Sequence, residues 1–175
     1  MSDILQQEKK VAEYIRKLIK DTPQIAIVLG SGLGTLADEI ENAIEIDYKD
    51  IPGFPRTTVA GHDGKLIYGT LSGKKVIGMK GRFHYYEGHD VSNVTFAVKV
   101  FKLLGIENIF VTNAAGGINK EFKPGDLMLI KDHISFFAPS PLRGQNIDEF
   151  GPRFPDMSEA YSKKLINMAK EAAES

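Results

Sequence analysis

Cysteine is absent from the sequence. Its absence excludes disulfide bonds, a thiol nucleophile and a metal site built on thiolates. This composition fits a cytoplasmic location without requiring one. Internal repeats, low-complexity tracts and linkers are absent as well. The length of 175 residues therefore predicts one domain over residues 1–175.

An excess of charge of either sign is also missing. The 22 basic and 23 acidic residues give a net charge of −1, so we expect neither nucleic acid nor an anionic membrane surface as a partner. No apolar run approaches membrane-spanning length, and the N-terminal segment lacks the apolar core of a signal peptide. His84 and His89 lie five residues apart without helical phase, and we expect no metal site.

Apolar residues recur along the chain with two different periods, which predicts both helices and strands. Runs rich in β-branched residues indicate strands, and an apolar stripe at helical spacing, ended by Gly105, indicates a helix. The predicted elements are helices at 6–20, 33–41, 91–104 and 158–174, strands at 25–29, 108–111, 127–130 and 134–137, and a hairpin at 65–71 and 75–79. This alternation predicts an α/β fold with a mixed central β-sheet flanked by helices.

A glycine-rich turn follows the first predicted strand, at residues 30–34 (Gly-Ser-Gly-Leu-Gly). The first amides of the helix expected after it have no intrahelical partner, so the turn favours an anion, with Ser31 adding a hydroxyl. Ser31 could equally cap the helix in an ordinary strand-to-helix turn. The glycine spacing fits neither a dinucleotide-binding fingerprint nor a P-loop, which disfavours a nicotinamide-binding module.

Residues 81–88 (Gly-Arg-Phe-His-Tyr-Tyr-Glu-Gly) gather a fixed cation, an imidazole and two phenols between two glycines. Arg82 offers a planar fork of donors, and His84 offers a donor that can follow an anion through a reaction. The aromatic rings offer a flat wall for a sugar or a base. Taken alone, the segment could also be a surface loop with exposed aromatic side chains.

A third segment, residues 112–117 (Thr-Asn-Ala-Ala-Gly-Gly), follows the predicted strand 108–111. Its small residues allow a ligand to approach the backbone closely. Ligands of α/β sheets bind at the carboxyl ends of strands, so we expect the three segments to meet at one cleft. The donors around one tetrahedral anion would be Ser31, Arg82, His84 and the amide at Ala114.

In this order, the three motifs resemble those of the trimeric class of purine nucleoside phosphorylases, in the nucleoside phosphorylase superfamily. The supporting segments are 51–59, 61–64, 125–133 and 153–158. The resemblance implies a nucleoside phosphorylase-like fold. It further implies the phosphorolysis of purine ribonucleosides and deoxyribonucleosides to a free base and (deoxy)ribose 1-phosphate. Inorganic phosphate would be a co-substrate, and no cofactor would be required.

The resemblance also implies roles for individual residues. It assigns catalysis to Arg82 and His84, ribose binding to Tyr86, and a contact with the neighbouring subunit of a homotrimer to Phe154. Phosphate would be bound by Ser31, His62, Arg82, Phe83, His84 and Ala114, and the purine by Ala114, Ala115 and Gly116.

Two of the side chains in these segments have simpler interpretations from the residues alone. His62 lies in a Gly-His-Asp-Gly turn and could be a turn residue, and Tyr86 could be packing in a wall. We expect Glu87 to orient Arg82 or a group near the sugar rather than to act as an acid or a base.

The resemblance covers the N-terminal portion of the family's domain, so we expect this chain to be an incomplete domain. In the family, further residues that read the purine and bind phosphate and ribose lie beyond the matched portion. Two alternatives therefore stay open. One is a non-catalytic chain that binds phosphate or nucleoside. The other is a methylthioadenosine phosphorylase, although that enzyme usually departs from the Gly-Arg-Phe-His loop seen here.

Overall fold

The computed structural model describes residues 3–56 and 64–174. These residues form two compact units, one up to Ala115 and one from Gly116 onward. The expectation of one domain over residues 1–175 stays a prediction. Among the helices of the described ranges, none has both the length and the apolar character that crossing a membrane requires.

The described residues of the first unit form three α-helices and five strands. In chain order these are α1 (Asp3–Leu18), β1 (Ile25–Leu29), β2 (Glu41–Asp47), β3 (Lys65–Leu71), β4 (Lys74–Lys80), α2 (Val91–Val94), α3 (Phe96–Leu104) and β5 (Asn108–Val111). Short 3₁₀ helices lie at Gly34–Glu39, Tyr48–Asp50 and Tyr85–Glu87. The second unit contains a 3₁₀ helix, Asp148–Phe150, and the helix α4 (Lys163–Glu174).

The five strands form one mixed sheet in the order β2-β3-β4-β1-β5. β1 pairs in parallel with β4 on one side and with β5 on the other, while β2, β3 and β4 pair in antiparallel fashion. Ile25 of β1 is therefore in register with Val76 and with Asn108. This arrangement confirms the predicted α/β fold with a mixed sheet, and it places the carboxyl ends of β4, β1 and β5 side by side.

Alternate residues of each buried strand pack on opposite faces of this sheet. On one face, Ala26 and Val28 of β1 join the larger core, which α1 and α3 cover with residues such as Ile15 and Val100. On the other face, Ile27 packs in a smaller cluster. The period of two in a strand produces this division, because successive side chains point to opposite faces.

Between the two covering helices, the core contains a charged pair. The Glu8 side chain on α1 is fully buried, and its Oε1 lies 3.1 Å from Nζ of Lys99 on α3. Burial raises the pKa of the Glu8 carboxyl above its ordinary value, and Lys99 opposes that shift only in part.

The predicted hairpin is confirmed, and so are the strands 25–29 and 108–111. Ser72 and Gly73 join β3 to β4 with φ angles of 47° and 74°. Two central residues with positive φ are typical of the type I′ turn, whose twist suits a two-residue hairpin. The helix expected at 6–20 is confirmed as α1, with slightly different ends.

Two helices differ from their predicted form. The helix expected at 33–41 is instead the 3₁₀ helix Gly34–Glu39, and β2 begins at Glu41. Sequence analysis missed β2 because it is the outermost strand beside β3 and most of its residues are exposed. The helix expected at 91–104 is divided at Thr95, whose hydroxyl donates to the Val91 carbonyl at 2.9 Å. Such back-bonding by threonine disturbs helices.

In the second unit, the strands predicted at 127–130 and 134–137 are wrong. Neither segment is a strand in the structure, and Leu127 and Ile134 are 90% and 89% exposed. Both runs have a strand-like composition, but a strand also needs a partner for its backbone hydrogen bonds, and β-propensity depends strongly on that context.

The predicted cap of the last helix is also wrong. Ser158 does not begin the helix, because its amide and its hydroxyl both donate to Oδ1 of Asp156. These two bonds hold the pKa of the Asp156 carboxyl below its ordinary value. The helix α4 begins at Lys163, and the Ser162 hydroxyl accepts a bond from the Leu165 amide at 3.4 Å.

Candidate anion-binding site

Three loops leave the neighbouring carboxyl ends of β4, β1 and β5. They begin at Gly81, Gly30 and Thr112, directly after the last residues of these strands. Hydrogen bonds join the loops to one another, with Thr112 as the common partner of the other two. The structure thus brings together the three segments that the sequence singled out.

Arg82 reaches across β1 to the loop that follows β5. Its Nη1 donates to the Thr112 carbonyl at 2.6 Å, and its Nε donates to Nε2 of His84 at 3.2 Å. Among the described residues, its Nη2 makes no hydrogen bond. The guanidinium is therefore fixed by two protein acceptors, while donors of its fork stay available to a ligand.

His84 continues this line of hydrogen bonds to a buried carboxylate. Because its Nε2 accepts from Arg82, the proton of the neutral ring belongs on Nδ1, which contacts Oε1 of Glu87. The Glu87 side chain is only 7% exposed, and its other oxygen lies 3.7 Å from Nε2 of His89. Glu87 therefore orients His84, a partner that we did not expect, and its expected role toward Arg82 or a group near the sugar stays a prediction.

The Arg82 loop rests on an aromatic cluster. Phe83 is buried between Tyr48 and Phe54, with ring centroids 5.6 and 5.9 Å away. The Tyr48 hydroxyl donates to the Gly81 carbonyl at 2.6 Å, and burial raises the pKa of that hydroxyl. The side chain of Phe83 thus holds the loop in place, which leaves only its backbone for an anion.

Gly30 is required by the close approach of two of the loops. Its amide donates to Oγ1 of Thr112 at 2.8 Å. A Cβ at position 30 would lie 2.3 Å from the Thr112 carbonyl oxygen, a distance that no side chain tolerates. The glycine therefore serves backbone packing at the site as well as the turn that follows it.

Ser31 lies exposed in the turn between β1 and the first 3₁₀ helix. That helix is preceded by Leu33 and has no side-chain cap, so the cap that Ser31 could have formed is not present. In the loop after the neighbouring strand β5, Ala114 and Ala115 follow Asn113 and are exposed. The serine at the end of β1 and the two alanines beyond β5 are therefore accessible to a ligand.

Tyr86 stacks on His84. Their ring centroids are 4.8 Å apart with an angle of 24° between the planes, and Tyr86 is 81% exposed. Its outer face is thus open to a ligand, whereas its inner face covers the imidazole.

The described part of the first unit does not include the other three predicted site residues. Gly116 and Phe154 belong to the second unit, in which Phe154 is 87% exposed and the Arg153 guanidinium lies 5.8 Å from its ring centroid. His62 falls outside the described residues. Within the described ranges, no group of three or more His, Cys, Asp or Glu side chains has the arrangement of a metal site.

Sequence reasoning missed the parts played by Thr112 and Tyr48. Thr112 was part of a motif, and the signal available was a hydroxyl placed directly at the end of a strand. Tyr48 carried no signal, because it lies 33 positions from the glycine whose carbonyl it binds. Such long-range contacts follow from strand order, which a single sequence does not specify.

Together, the fold and these donors define an α/β protein with a cationic, donor-rich edge suited to a tetrahedral anion. The chain belongs to the phosphorylase superfamily, whose family model matches residues 24–175. It is 56% identical over 165 residues to purine nucleoside phosphorylase 1 of Geobacillus stearothermophilus, which covers 94% of this chain and 60% of that protein. This similarity confirms the predicted resemblance to purine nucleoside phosphorylases.

Solved structures of the same kind superpose closely on the chain. A purine nucleoside phosphorylase in complex with ribose-1-phosphate gives a TM-score of 0.90 at 47% identity, over 97% of this chain and 64% of that one. The Schistosoma mansoni purine nucleoside phosphorylase in complex with inosine gives 0.89 at 46% identity, over 97% and 60%. The chain therefore spans a little over three-fifths of the length of these proteins.

Proposed function

We propose that the protein catalyses the phosphorolysis of purine nucleosides and deoxynucleosides. An oxygen of hydrogen phosphate forms a bond to the anomeric carbon as the glycosidic carbon–nitrogen bond breaks, and the base departs with that electron pair. The proton that the phosphate gives up ends on the base. The products are the free purine and ribose 1-phosphate or its deoxy form. The observation that carries this proposal is the Arg82–His84–Glu87 line of hydrogen bonds at the strand ends, in a chain 56% identical to a named purine nucleoside phosphorylase.

Phosphate itself is the nucleophile in this reaction, so no activated side chain is required. The protein contributes the position of the anion and the electrostatic match between phosphate and a ribosyl centre that develops positive charge. Arg82 supplies fixed positive charge and planar donors. Phosphate is a co-substrate, and we assign no cofactor and no metal to the reaction.

His84 contacts phosphate beside Arg82 in the proposed reaction. Its Nε2 accepts from Nε of Arg82 at 3.2 Å, and its Nδ1 contacts Oε1 of Glu87. These two contacts hold the imidazole at the edge of the sheet where the anion would bind.

The other roles follow the family pattern and the local geometry. The phosphate site is completed by four further groups, which are Ser31, His62, the Phe83 backbone and the Ala114 amide. Tyr86 provides the ribose wall, which its open outer face supports. Ala114, Ala115 and Gly116 lie against the purine. Phe154 reaches a neighbouring subunit of a homotrimer, and the protein acts in the cytoplasm.

The test is the phosphate dependence of nucleoside cleavage. Inosine is incubated with the protein in buffer with and without inorganic phosphate, and hypoxanthine and ribose 1-phosphate are quantified by chromatography. We expect both products in equal amounts and only when phosphate is present. Cleavage at the same rate without phosphate, with free ribose as the product, would show a hydrolase instead.

A second candidate function is phosphate or nucleoside binding without turnover. It is favoured by the donors of Arg82 and of the loops at the strand ends, which suit a bound phosphate without any reacting group. Inorganic phosphate binding, measured by calorimetry on the same sample, separates the two functions. Binding together with inosine cleavage supports the enzyme, whereas binding without cleavage supports the second function.

A further inference from the structure

Thr112 makes hydrogen bonds to the loop that follows β4 and to the end of β1. Its carbonyl accepts from Nη1 of Arg82 at 2.6 Å, and its Oγ1 accepts from the Gly30 amide at 2.8 Å. Its own amide and hydroxyl both donate to the Val28 carbonyl at 3.0 Å. A single residue thus connects the loop after β4, the end of β1 and the start of the loop after β5.

The hydroxyl has a task that the backbone of Thr112 does not perform. The Gly30 amide lies just past the last residue of β1 and is partly buried, so it needs an acceptor from outside the strand ladder. Oγ1 provides that acceptor and at the same time donates to Val28. Valine has the same shape but could do neither, which would leave the amide of Gly30 without a partner.

We propose that Thr112 is a positioning residue for phosphate binding, which rests on the function proposed above. It does not contact the anion. Its carbonyl fixes the guanidinium of Arg82 in the loop after β4, and its hydroxyl fixes the peptide that leads into Ser31 at the end of β1. The spacing between these two groups of donors is therefore set by one residue.

The close packing around Thr112 makes this spacing rigid. The Thr112 carbonyl oxygen lies only 2.3 Å from where a Cβ would stand on Gly30, so the two loops have no room to approach further. The hydroxyl bond keeps them from separating. A donor set that must match a small tetrahedral anion loses affinity when such a distance changes by a fraction of an ångström.

The experiment compares Thr112→Val, Thr112→Ser and the unchanged chain by titration with inorganic phosphate, followed by NMR signals of the folded protein. Because only folded signals are read, a partly unfolded population does not distort the affinity. We expect Thr112→Val to weaken phosphate binding about tenfold. This change in affinity corresponds to the net contribution of one hydrogen bond. Thr112→Ser retains the hydroxyl and should stay within about twofold of the unchanged chain.

The matched control is Thr95→Val. Thr95 also donates its hydroxyl to a backbone carbonyl, that of Val91, but at the junction of α2 and α3. Its replacement should leave phosphate affinity unchanged even where it changes stability. Amide hydrogen exchange gives a second readout, since Gly30 should lose protection in Thr112→Val and keep it in Thr112→Ser.

Two outcomes would overturn the proposal. One is unchanged phosphate affinity in Thr112→Val with faster exchange at Gly30, and the other is equal weakening by the serine and valine variants. An Arg82→Ala variant, measured alongside, separates this proposal from the proposed function. Phosphate binding that survives Arg82→Ala removes the proposed function itself, whereas loss in Arg82→Ala without loss in Thr112→Val removes only the role of Thr112.

Discussion

Arg82 and His84 illustrate how much a side chain's role depends on its hydrogen-bond partners. The sequence indicated their chemistry, because a guanidinium and an imidazole two residues apart favour an anion. The sequence did not indicate that each would be held by another group, Arg82 by Thr112 and His84 by Glu87. Those partners lie in other loops or across a turn, so only the folded chain identifies them.

We predict that Arg82→Lys weakens phosphate binding by about 1.5–3 kcal/mol, because lysine keeps the charge but loses the planar fork. The stability of the fold should change far less. Calorimetry with inorganic phosphate and denaturant unfolding measure the two quantities. Arg153→Lys, in the second unit, is the control, and equal phosphate affinity in all three proteins would contradict the prediction.

We predict that Gly30→Ala destabilises the fold by about 1–3 kcal/mol, since the added Cβ would lie 2.3 Å from the Thr112 carbonyl. Gly34→Ala is the matched control in the same segment, because no atom lies within 4 Å of its added Cβ. Urea unfolding of both variants provides the comparison. Equal stability of the two variants would show that the loops separate without cost.

We predict that the stability contributed by Glu8 falls as the pH rises. Burial raises its pKa above the ordinary value of 4.5, so the folded state holds the proton more tightly than the unfolded state. The free energy of unfolding relative to Glu8→Gln should be highest below pH 4.5 and should decline as the pH rises through the folded-state pKa.

Denaturant unfolding at a series of pH values checks this sign. Glu13→Gln, on the exposed side of the same helix, serves as the control for replacing a glutamate of α1 by glutamine. A difference between the wild type and Glu8→Gln that grows with pH would mean that Lys99 outweighs burial.

Among the helices and strands, the sequence correctly predicted the features that are determined by residues adjacent in the chain. The β3–β4 hairpin and the end of α3 at Gly105 depend on turn and cap residues that lie beside them in sequence. β2 was missed and the strands at 127–130 and 134–137 were wrong, because pairing partners decide whether an extended segment becomes a strand. The break at Thr95 depends on a hydroxyl bond that helical periodicity does not register.

We predict that Ser72→Asn stabilises the hairpin by about 0.5 kcal/mol. Ser72 has a φ of 47°, in the left-handed region that asparagine adopts more readily, and Asn-Gly is the preferred pair for a type I′ turn. Thermal unfolding measures the gain. Gly73→Ala, at a φ of 74°, should lower the melting temperature, and a gain from that change would contradict the assigned turn.

For the whole molecule, the sequence motifs predicted the fold and the family more completely than they predicted the site. Five strands in the order β2-β3-β4-β1-β5 bring three separate motifs to one edge. That meeting point was expected from the rule for α/β sheets, but the contacts within it were not. The oligomeric state depends on the exposed surface of the protein, to which the ring of Phe154 belongs.

We predict that the protein is a homotrimer and that Phe154→Ala raises the nucleoside concentration needed for half-maximal activity, because the ring would be lost from a neighbouring site. Light scattering gives the mass, and steady-state kinetics with inosine gives the half-saturation. Phe137→Ala, at another highly exposed ring in the same unit, is the control. A fully active monomer would contradict the prediction.

The two acceptors of Arg82 also have a thermodynamic consequence. An arginine side chain carries about 2 kcal/mol of rotamer entropy, which a free side chain would lose at the moment it grips a ligand. Here the Thr112 carbonyl and the His84 ring immobilise the guanidinium before any anion arrives. That entropy is thus lost during folding and not during binding. An anion that binds Arg82 therefore loses less affinity to the ordering of the side chain.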